Sequence, residues 1–595
     1  MPVRTFPAFV LIAITSSLCA QQADASGGVT TARSLLTYAE LTTGPQPKGL
    51  VPNTAFLPAA DAADATQPFS GELLIPEFEL QSNPARIADG LVMNKDPQRF
   101  PAVRLGFVSA DGELLPTMRD IQLTAAGRSY WDIIVDPGRV WSEPGDRGMS
   151  RASFPFVLMN RLEGESHNGV ATFLYDRDRV SGLVLQVMQQ TAPYYLTRLF
   201  SAWGHTPVRY DARAVPERDT VVALRQRERA ARLPMADLTE FARVHPGVKL
   251  ERFDGQGIAD DVVISGILDA GTIYTAGCRT EAGDFPYCES MRHGVWSITK
   301  SLVPAVALLR LAQKYGPQVY AERIADHLRV TGHAAEWSRV TFLDAANMAT
   351  GIGSGSTATD PNDISDGYLA EGSGYDAWYR APTLAERLAI TFRESAYPWG
   401  PGRVARYRDQ DPLVLMAAMD HYLKAREGAQ ASVWQMLMKE VFEPIGIVHL
   451  PQARVTTTPG EPGLPIGSYG LYPTIADALR VAQLLQKGGV HDGVQVLSAP
   501  GIAQSAGPAT PAQFRSGEIS AAGEVIYAHY FWNVPFRDQA CVANIPSMMG
   551  WGGNVVALLP NGMTAFRISR GREKWDPTDM AVAAHRARSF CAGSP

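Results

Sequence analysis

The chain has 595 residues, of which 46% are hydrophobic and 19% are charged, and its formal net charge is −6 at pH 7. These fractions are normal for a soluble globular protein. The length exceeds what one hydrophobic core usually serves, which predicts two or three domains. No block of basic residues stands out, so composition gives no indication of nucleic-acid binding.

The first 25 residues have the pattern of a signal peptide. Arg4 supplies a positive start, residues 8–14 form an apolar run, and Ala23-Asp24-Ala25 fits a small-x-small cleavage site. The run is too short to span a bilayer permanently. Lipoprotein processing at Cys19 is disfavoured because the residues before it suit that processing poorly. The sequence therefore predicts an exported protein, periplasmic or secreted, with no stable membrane span.

Four cysteines remain after the predicted cleavage: Cys278, Cys288, Cys541 and Cys591. An even number in an oxidising compartment favours disulfides. The short gap between the first two favours a local bridge, which leaves Cys541 with Cys591. Metal binding is the alternative, and it is disfavoured because the chain has neither Cys-x-x-Cys nor His-Glu-x-x-His. We expect no metal and no cofactor.

The hydrophobic pattern divides the mature chain in two. Residues 26–230 contain short strand-like runs separated by turn signals, which predicts an antiparallel, sandwich-like domain of open role. Residues 212–245 are charged and predict a solvated connecting helix at the domain boundary, with an anionic partner for its arginines as the alternative. Residues 250–595 have strand-like runs at both ends and helices between them. This arrangement predicts an α+β domain whose sheet is completed by the C-terminal strands.

A candidate nucleophile lies at the start of the first helix in this second region. Ser297 and Lys300 are three residues apart, so a helix places them on one face, one turn from each other. A lysine in that position can take the proton of the serine hydroxyl, provided that burial or a second cation keeps the amine neutral. The alternative is a capped helix with a solvated lysine.

Two further motifs follow in the chain. Tyr407, on a loop after Pro401-Gly402, can hydrogen-bond Ser297 and Lys300 and pass a proton to a leaving group; otherwise it is a packing tyrosine. The run from Gly550 to Asn554 precedes an apolar strand, and its glycines let a substrate approach the backbone closely; otherwise it is a glycine-rich turn. The N–H groups of Ser297 and Asn554 are predicted to form the oxyanion hole.

These three motifs, in this order, resemble those of the β-lactamase-related serine hydrolases over residues 260–590. The group contains class C β-lactamases, D-aminopeptidases, family VIII esterases and 6-aminohexanoate-dimer hydrolases, and Ser-x-x-Lys is the nucleophile motif of penicillin-binding proteins. The resemblance implies a β-lactamase/transpeptidase-like catalytic domain. Four further stretches support it: residues 340–352, 442–447, 470–477 and 493–498.

Two departures from that pattern matter. Asp409 stands where the second motif usually has asparagine, so that an anion replaces a neutral amide. Trp551, Gly552 and Gly553 stand where lactamases and transpeptidases have Lys-Thr-Gly, as in the esterases. Losing the cation and hydroxyl that help to bind a substrate carboxylate argues against efficient penicillin turnover. The predicted substrate-binding residues are Asp409, Trp551, Gly552, Gly553 and Asn554.

The sequence therefore predicts an exported serine hydrolase that cleaves an ester or amide bond through an acyl-enzyme on Ser297. Its substrate is expected to be a small molecule or an oligomer. A peptidase or peptidoglycan-directed enzyme with the same machinery is an alternative. A catalytically silent binding protein is another, disfavoured because Ser297, Lys300 and Tyr407 are all present. An α/β-hydrolase is disfavoured because the chain lacks Gly-x-Ser-x-Gly.

Overall fold

The computed structural model describes most of the chain beyond the predicted signal peptide, which lies outside the described residues. The described ranges are 33–83, 95–124, 127–160, 162, 164–194, 196, 199–255, 257–353, 375–457, 463–506, 514–571 and 575–591.

The first part of the chain is built from short strands that pair in an antiparallel manner. They are β1 (Ser70–Ile75), β2 (Phe78–Glu79), β3 (Gln81–Ser82), β4 (Arg99–Phe100), β5 (Val103–Ala110), β6 (Glu113–Pro116), β7 (Asp132–Val135), β8 (Gly138–Ser142), β9 (Ser150–Met159), β10 (His167–Tyr175), β11 (Leu183–Gln189), β12 (Ser201–Thr206) and β13 (Arg209–Ala212).

Eleven of these strands form one continuous sheet within the described residues, which we call the N-terminal sheet. Its order is β13-β1-β5-β6-β8-β9-β10-β11-β12-β3, with β7 beside β9, and β2 pairs with β4 separately. The β-rich character matches the alternating runs in the sequence. The described strands follow one hydrogen-bonded path that folds back on itself, since the ring of Phe69, next to β1, lies 5.7 Å from the ring of Phe173 on β10. The sandwich-like architecture stays a prediction.

The two faces of the N-terminal sheet belong to two different cores. Along β10, Ala171 and Phe173 pack into an apolar cluster inside the N-terminal part. Val170 and Leu174, which point to the opposite face, belong to the large cluster that also holds the helices around Ser297. Both faces of β10 are buried, so this sheet is packed against the second part of the chain and is not a separate appendage.

A second sheet lies in the C-terminal part. Its strands and smaller pairs are β14 (Met235–Asp237), β15 (Val262–Asp269), β16 (Thr272–Thr275), β17 (Arg279–Thr280), β18 (Gly283–Asp284), β19 (Arg454–Val455), β20 (Leu464–Pro465), β21 (Val490–His491), β22 (Val494–Gln495), β23 (Phe514–Ser520), β24 (Gly523–Ala528), β25 (Phe531–Asp538), β26 (Cys541–Gly550), β27 (Asn554–Leu558) and β28 (Thr564–Ser569).

This sheet has nine strands among the described residues, in the order β14-β16-β15-β28-β27-β26-β25-β24-β23. All its neighbours are antiparallel except β14 and β16. The predicted hairpin of β15 and β16 is confirmed, as is completion of the sheet by C-terminal strands. Along β27, alternate residues face two cores, because Val555 and Ala557 belong to one cluster and Val556 and Leu558 to the other.

Helices fill the region between the outer strands, which gives the α+β class that the sequence predicts. The α-helices are α1 (Tyr38–Thr42), α2 (Arg218–Ala230), α3 (Leu238–Val244), α4 (Ile298–Lys300), α5 (Val306–Tyr315), α6 (Ile324–His327), α7 (Ala334–Trp337), α8 (Phe342–Ala346), α9 (Tyr375–Arg380), α10 (Leu384–Thr391), α11 (Gln410–Glu427), α12 (Val433–Leu437), α13 (Ile475–Gln486), α14 (Ala499–Ala506) and α15 (Thr578–Ala587).

The charged helix α2 has no buried residue, as expected of a solvated connecting helix. Its arginines have intramolecular partners: Arg225 pairs with Glu113 at 2.6 Å on the N-terminal sheet. In the same helix, Glu228 pairs with Arg119 at 2.6 Å. These ion pairs dock α2 against β6 and the segment that follows it.

Both predicted disulfides are present, Cys278–Cys288 and Cys541–Cys591. Stable disulfides are typical of oxidising compartments. Across the described ranges, no helix is long and apolar enough to cross a membrane. Nor does any cluster of three or more His, Cys, Asp or Glu side chains suited to a metal ion occur in those ranges.

Candidate active site

Ser297 follows a residue with an unusual backbone. Trp296 is 4% exposed and has φ +49°, in the left-handed region that bulky side chains rarely adopt. Ser297 then occupies the position before α4, and the Lys300 N–H donates to the Ser297 carbonyl at 3.0 Å. The chain continues through a wider π turn, Ser301–Ala305, into α5. Pro304 lies in that turn, where proline has no N–H to donate.

Lys300 contacts the serine hydroxyl directly. Its ammonium group donates to Ser297 Oγ at 2.7 Å and to the carbonyl of Ser468 at 3.0 Å. Its third close partner is the carboxylate of Asp409, at 2.6 Å from Nζ. Lys300 is 1% exposed, so the predicted Ser297–Lys300 pair is buried and hydrogen-bonded, unlike a capped helix with a solvated lysine.

The protonation of Lys300 differs from the sequence expectation of a neutral amine. Burial by itself lowers the pKa of Lys300, but the charge of Asp409, together with Tyr407 and their hydrogen bonds, outweighs burial and raises it above the usual value. Lys300 is therefore an ammonium in the resting site. The neighbour of Lys300 is thus an anion, Asp409, and not the second cation that would have favoured a neutral amine.

Asp409 is held by two tyrosines as well as by Lys300. The hydroxyl of Tyr379 donates to Asp409 Oδ2 at 2.6 Å, and the hydroxyl of Tyr375 donates to the same oxygen. Tyr379 stacks on Tyr469, with ring centroids 5.0 Å apart. One carboxylate oxygen thus faces the lysine while the other accepts from α9, so Asp409 belongs to the same buried cluster as Ser297 and Lys300.

Tyr407 completes the cluster that the sequence predicts. Its hydroxyl hydrogen-bonds to both Ser297 and Lys300, and Lys300 Nζ lies 4.9 Å from the centre of its ring. Burial raises the pKa of Tyr407, and the nearby Lys300 charge opposes that rise only in part. Tyr407 is therefore a neutral phenol at neutral pH, able to donate a proton. Its ring packs on Trp532 with centroids 5.1 Å apart.

The third motif forms the turn between β26 and β27, beside Ser297. A Cβ added at Gly550 would collide with the carbonyl oxygen of Val295 and lie 3.2 Å from the amide nitrogen of Ser297. Gly552 and Gly553 both have positive φ, +83° and +84°, which glycine adopts without strain. Gly550 is thus the glycine that meets the turn before Ser297, a contact that residue type alone does not reveal.

Asn554 and Trp551 have contacts beyond those expected. The Asn554 side chain is fully buried and donates to the carbonyls of Trp551 at 3.1 Å and Gly294 at 3.4 Å. It also accepts from the Ser569 N–H at 3.0 Å. The side chain therefore ties the turn to the segment before Ser297. Its backbone N–H as an oxyanion donor stays a prediction.

Three contributors to the site lie outside the sequence motifs. Tyr375 and Tyr379 hold Asp409, and the carbonyl of Ser468 accepts from Lys300. Tyr375 and Tyr379 are two of twenty tyrosines in the chain, and no motif around them points to the site. A backbone carbonyl such as that of Ser468 cannot be inferred from residue type. The spacing of Tyr375 and Tyr379, one helical turn, is the single signal that could have placed them on a common face.

Comparison with family models and with curated proteins gives no match for this chain. Among solved structures, it is similar to a penicillin-binding protein homologue from Caulobacter crescentus, with 17% identity over 59% of this chain and 98% of the other, and a TM-score of 0.41. A family VIII carboxylesterase has 17% identity, 61% and 97% coverage, and a TM-score of 0.37. A class C β-lactamase has 13% identity, 60% and 99% coverage, and a TM-score of 0.38.

These are the kinds of protein that the sequence motifs resemble. Their TM-scores lie below 0.5, so the function proposed below rests on the contacts of Ser297, Lys300, Tyr407 and Asp409.

Proposed function

We propose that this protein is an exported serine hydrolase that cleaves an ester or amide bond through an acyl-enzyme on Ser297. The observation that carries the proposal is the 2.7 Å hydrogen bond between Lys300 Nζ and Ser297 Oγ inside a buried cluster. A serine hydroxyl becomes a competent nucleophile when a neighbouring base can take its proton. The two disulfides support the periplasmic or secreted location.

Charge balance in the cluster determines how Lys300 serves as the base. The resting pair is an ammonium and a carboxylate 2.6 Å apart. Transfer of one proton from Lys300 to Asp409 leaves a neutral amine, which then takes the Ser297 proton as Oγ attacks the carbonyl carbon. The pair carries no net charge before the transfer and none after it, so the transfer does not place a new net charge in a buried site.

The proposed role of Tyr407 is to protonate the leaving group. Its phenol contacts both Ser297 and Lys300, so it can donate its proton to the departing oxygen or nitrogen and regain one from Lys300. Asp409 then returns its proton to Lys300, which restores the resting charges. Water replaces the leaving group, and the same transfers release the acid and free Ser297.

The test is chemical labelling of the serine. A fluorophosphonate probe is expected to modify wild-type protein at Ser297, as located by peptide mapping, and to leave Ser297→Ala unmodified. Ser297→Ala is also expected to lose at least roughly 1,000-fold in kcat on a p-nitrophenyl ester, in the range seen when a serine nucleophile is removed. A panel of p-nitrophenyl esters, anilides and β-lactams then separates esterase from amidase.

Ser301→Ala is the matched control. This serine lies four residues further along and is buried, and its hydroxyl donates to the Tyr530 carbonyl at 2.6 Å. It is expected to keep both labelling and turnover. Labelling at another residue, or wild-type turnover in Ser297→Ala, would show that the assignment is wrong.

A further inference from the structure

The N-terminal sheet is hydrogen-bonded to the segment that precedes Ser297. Asn168 on β10 bonds the backbone of Arg292 in both directions: its Nδ2 donates to the Arg292 carbonyl at 2.8 Å, and its Oδ1 accepts from the Arg292 N–H at 3.3 Å. Asn168 is 1% exposed. A buried side-chain amide that pairs with both groups of one residue fixes that residue in position and orientation.

Two more contacts continue toward the nucleophile. The Gly294 N–H donates to Ser166 Oγ at 3.0 Å. A Cβ added at Gly164 would lie 2.9 Å from the ring of Trp296, and one at Gly294 would collide with the Gly164 carbonyl. The strand entry of β10 and the residues before Ser297 are therefore in direct backbone contact, with no space for an intervening side chain.

The side chain of Arg292 is anchored to the same sheet. Its Nε and Nη2 donate to the two oxygens of Asp136 at 2.9 and 3.0 Å, a bidentate pair in which both residues are almost fully buried. Its remaining nitrogen donates to the Tyr472 carbonyl at 3.3 Å in the helical part. Arg292 thus links the two parts of the chain five residues before the nucleophile.

The sheet also reaches the other side of the site. The ring of Tyr194 packs against Trp296 and Trp551, with centroids 5.1 and 5.6 Å apart. A Cβ added at Gly552 would lie 2.9 Å from the Cβ of Ala192. Segment 192–194 therefore bridges the residue before Ser297 and the third motif.

We propose that the N-terminal sheet helps to hold the hydrolase site in its active geometry and that Asn168 is a positioning residue for the turn that presents Ser297. The proposal rests on the serine hydrolase function proposed above. Its physical basis is the left-handed backbone of Trp296, a conformation that costs of order 1–3 kcal/mol and persists only when surrounding contacts hold it. Beside the Asn554 bond to Gly294 and the approach of Gly550, the contacts of Asn168, Ser166 and Tyr194 bring the N-terminal part of the chain against this turn.

The expected kinetic effect follows from the demand on geometry. A displacement of about 1 Å in a reacting group can lower the rate roughly 100-fold. Asn168→Ala removes both bonds to Arg292 and is expected to lower kcat on a p-nitrophenyl ester by roughly 10- to 100-fold. KM is expected to change little, because Asn168 is buried beneath the turn and does not face the substrate.

Thr172→Ala is the matched control. Thr172 lies on the same strand and the same face, is fully buried, and bonds only within its own sheet, donating to the Ala152 carbonyl at 2.9 Å. It is expected to keep wild-type kcat even where its unfolding temperature falls as much as that of Asn168→Ala. A wild-type kcat in Asn168→Ala, or an equal loss in Thr172→Ala, would overturn the proposal.

Two measurements keep the test decisive. If Asn168→Ala does not fold, Ser166→Ala removes the bond to Gly294 and is expected to lower kcat in the same way, whereas an unchanged kcat would overturn the proposal. Amide hydrogen exchange over residues 292–297 is expected to be faster in the Asn168 variant than in the Thr172 variant, and equal rates would overturn it. Hydrogen exchange does not depend on turnover. It therefore measures how firmly Asn168 holds residues 292–297 even if fluorophosphonate labelling shows that Ser297 is not the nucleophile.

Discussion

Asp409 lies 2.6 Å from Nζ of Lys300 and shares that ammonium group with the hydroxyl of Ser297. In the sequence motif that this chain resembles, the position of Asp409 is usually an asparagine. An amide at this position can only accept a hydrogen bond from the lysine or donate one elsewhere, whereas a carboxylate can also take a proton. The raised pKa of Lys300 follows in part from this residue, and so does the route by which Lys300 becomes a base in the proposed mechanism.

Asp409→Asn is expected to move the acidic limb of the kcat/KM profile to higher pH. In the proposed wild-type mechanism, Lys300 becomes a neutral amine by an internal proton transfer to Asp409, so no proton has to be lost to solvent. In the variant, Lys300 has no carboxylate to receive its proton, so the amine must lose it to solvent. Once the anion is gone, burial lowers the pKa of Lys300. The acidic limb then reports loss of a proton from the Lys300 ammonium to solvent, which the wild type does not need.

The measurement is kcat/KM of a p-nitrophenyl ester against pH, with the fold checked by circular dichroism. Activity at neutral pH is expected to fall and to recover partly as pH rises. A limb that stays in place, or moves to lower pH, would mean that Asp409 does not accept the proton.

Sequence reasoning reached the parts of this site that are encoded by local spacing. Ser297 and Lys300 meet because three residues make nearly one helical turn, and strands near residues 262–275 and 555–568 are confirmed because alternation and turn residues specify them. Ser297, Lys300, Tyr407 and Asp409 do meet in the structure, as the family-like order of motifs implied.

Contacts between distant segments were beyond that reasoning. The bond from Asn168 to Arg292 joins residues 124 positions apart, and nothing in either stretch marks the partner. The charge of Lys300 was also out of reach, because it depends on which groups surround the amine in three dimensions. The N-terminal strands were predicted, but their pairing into one sheet depends on register, which short alternating runs do not specify.

Gly550→Ala is expected to impair catalysis because it places a methyl group against the nucleophile turn. The added carbon would collide with the Val295 carbonyl and lie 3.2 Å from the Ser297 amide nitrogen. Either the turn or β26 must shift, and we expect a loss of roughly 10- to 100-fold in kcat. Gly145→Ala is the control, since an added Cβ there meets nothing within 4 Å. Equal kcat in the two variants would contradict this account of Gly550.

Glu394→Gln is expected to remove a pH dependence of stability. Arg408 lies between two buried carboxylates, Glu394 and Asp411, so one guanidinium charge faces two acids. Burial, assisted by the charge of Asp411, raises the pKa of Glu394 from 4.5 to about 7 despite the opposing effect of Arg408. The folded state therefore holds a proton that the unfolded chain releases between these values, and stability falls as pH rises from about 4.5 to about 7.

Over this pH range the free energy of unfolding is expected to fall by about 3 kcal/mol at most. Urea unfolding at several pH values is the measurement, and the glutamine variant is expected to show a flatter profile across that window and a gain in stability over wild type at pH 8. Glu281→Gln, at an exposed glutamate, is the control for the loss of one negative charge. A wild-type slope in Glu394→Gln would assign the titration to another group.

The two disulfides are expected to differ in what they stabilise. Cys278–Cys288 closes a loop with a sequence separation of 10, and Cys541–Cys591 one with a separation of 50. In the chain-entropy model these loops contribute about 3 and about 4 kcal/mol at 25 °C. The larger loss of stability is therefore expected for the double variant Cys541→Ala/Cys591→Ala, measured by urea unfolding. A larger loss for the shorter loop would contradict the entropic ranking.

Their effects on catalysis are expected to run the other way. Cys541 begins β26, and the third motif follows the far end of that strand at Gly550, about 30 Å away at the usual rise per residue. The Cys541–Cys591 bridge therefore lies far from the third motif. Cys288 lies nine residues before Ser297, so removing the local bridge is expected to lower kcat more than removing the distant one, when both variants are assayed well below their unfolding temperatures. An equal kcat in the two double variants would show that the local bridge does not help to position the nucleophile.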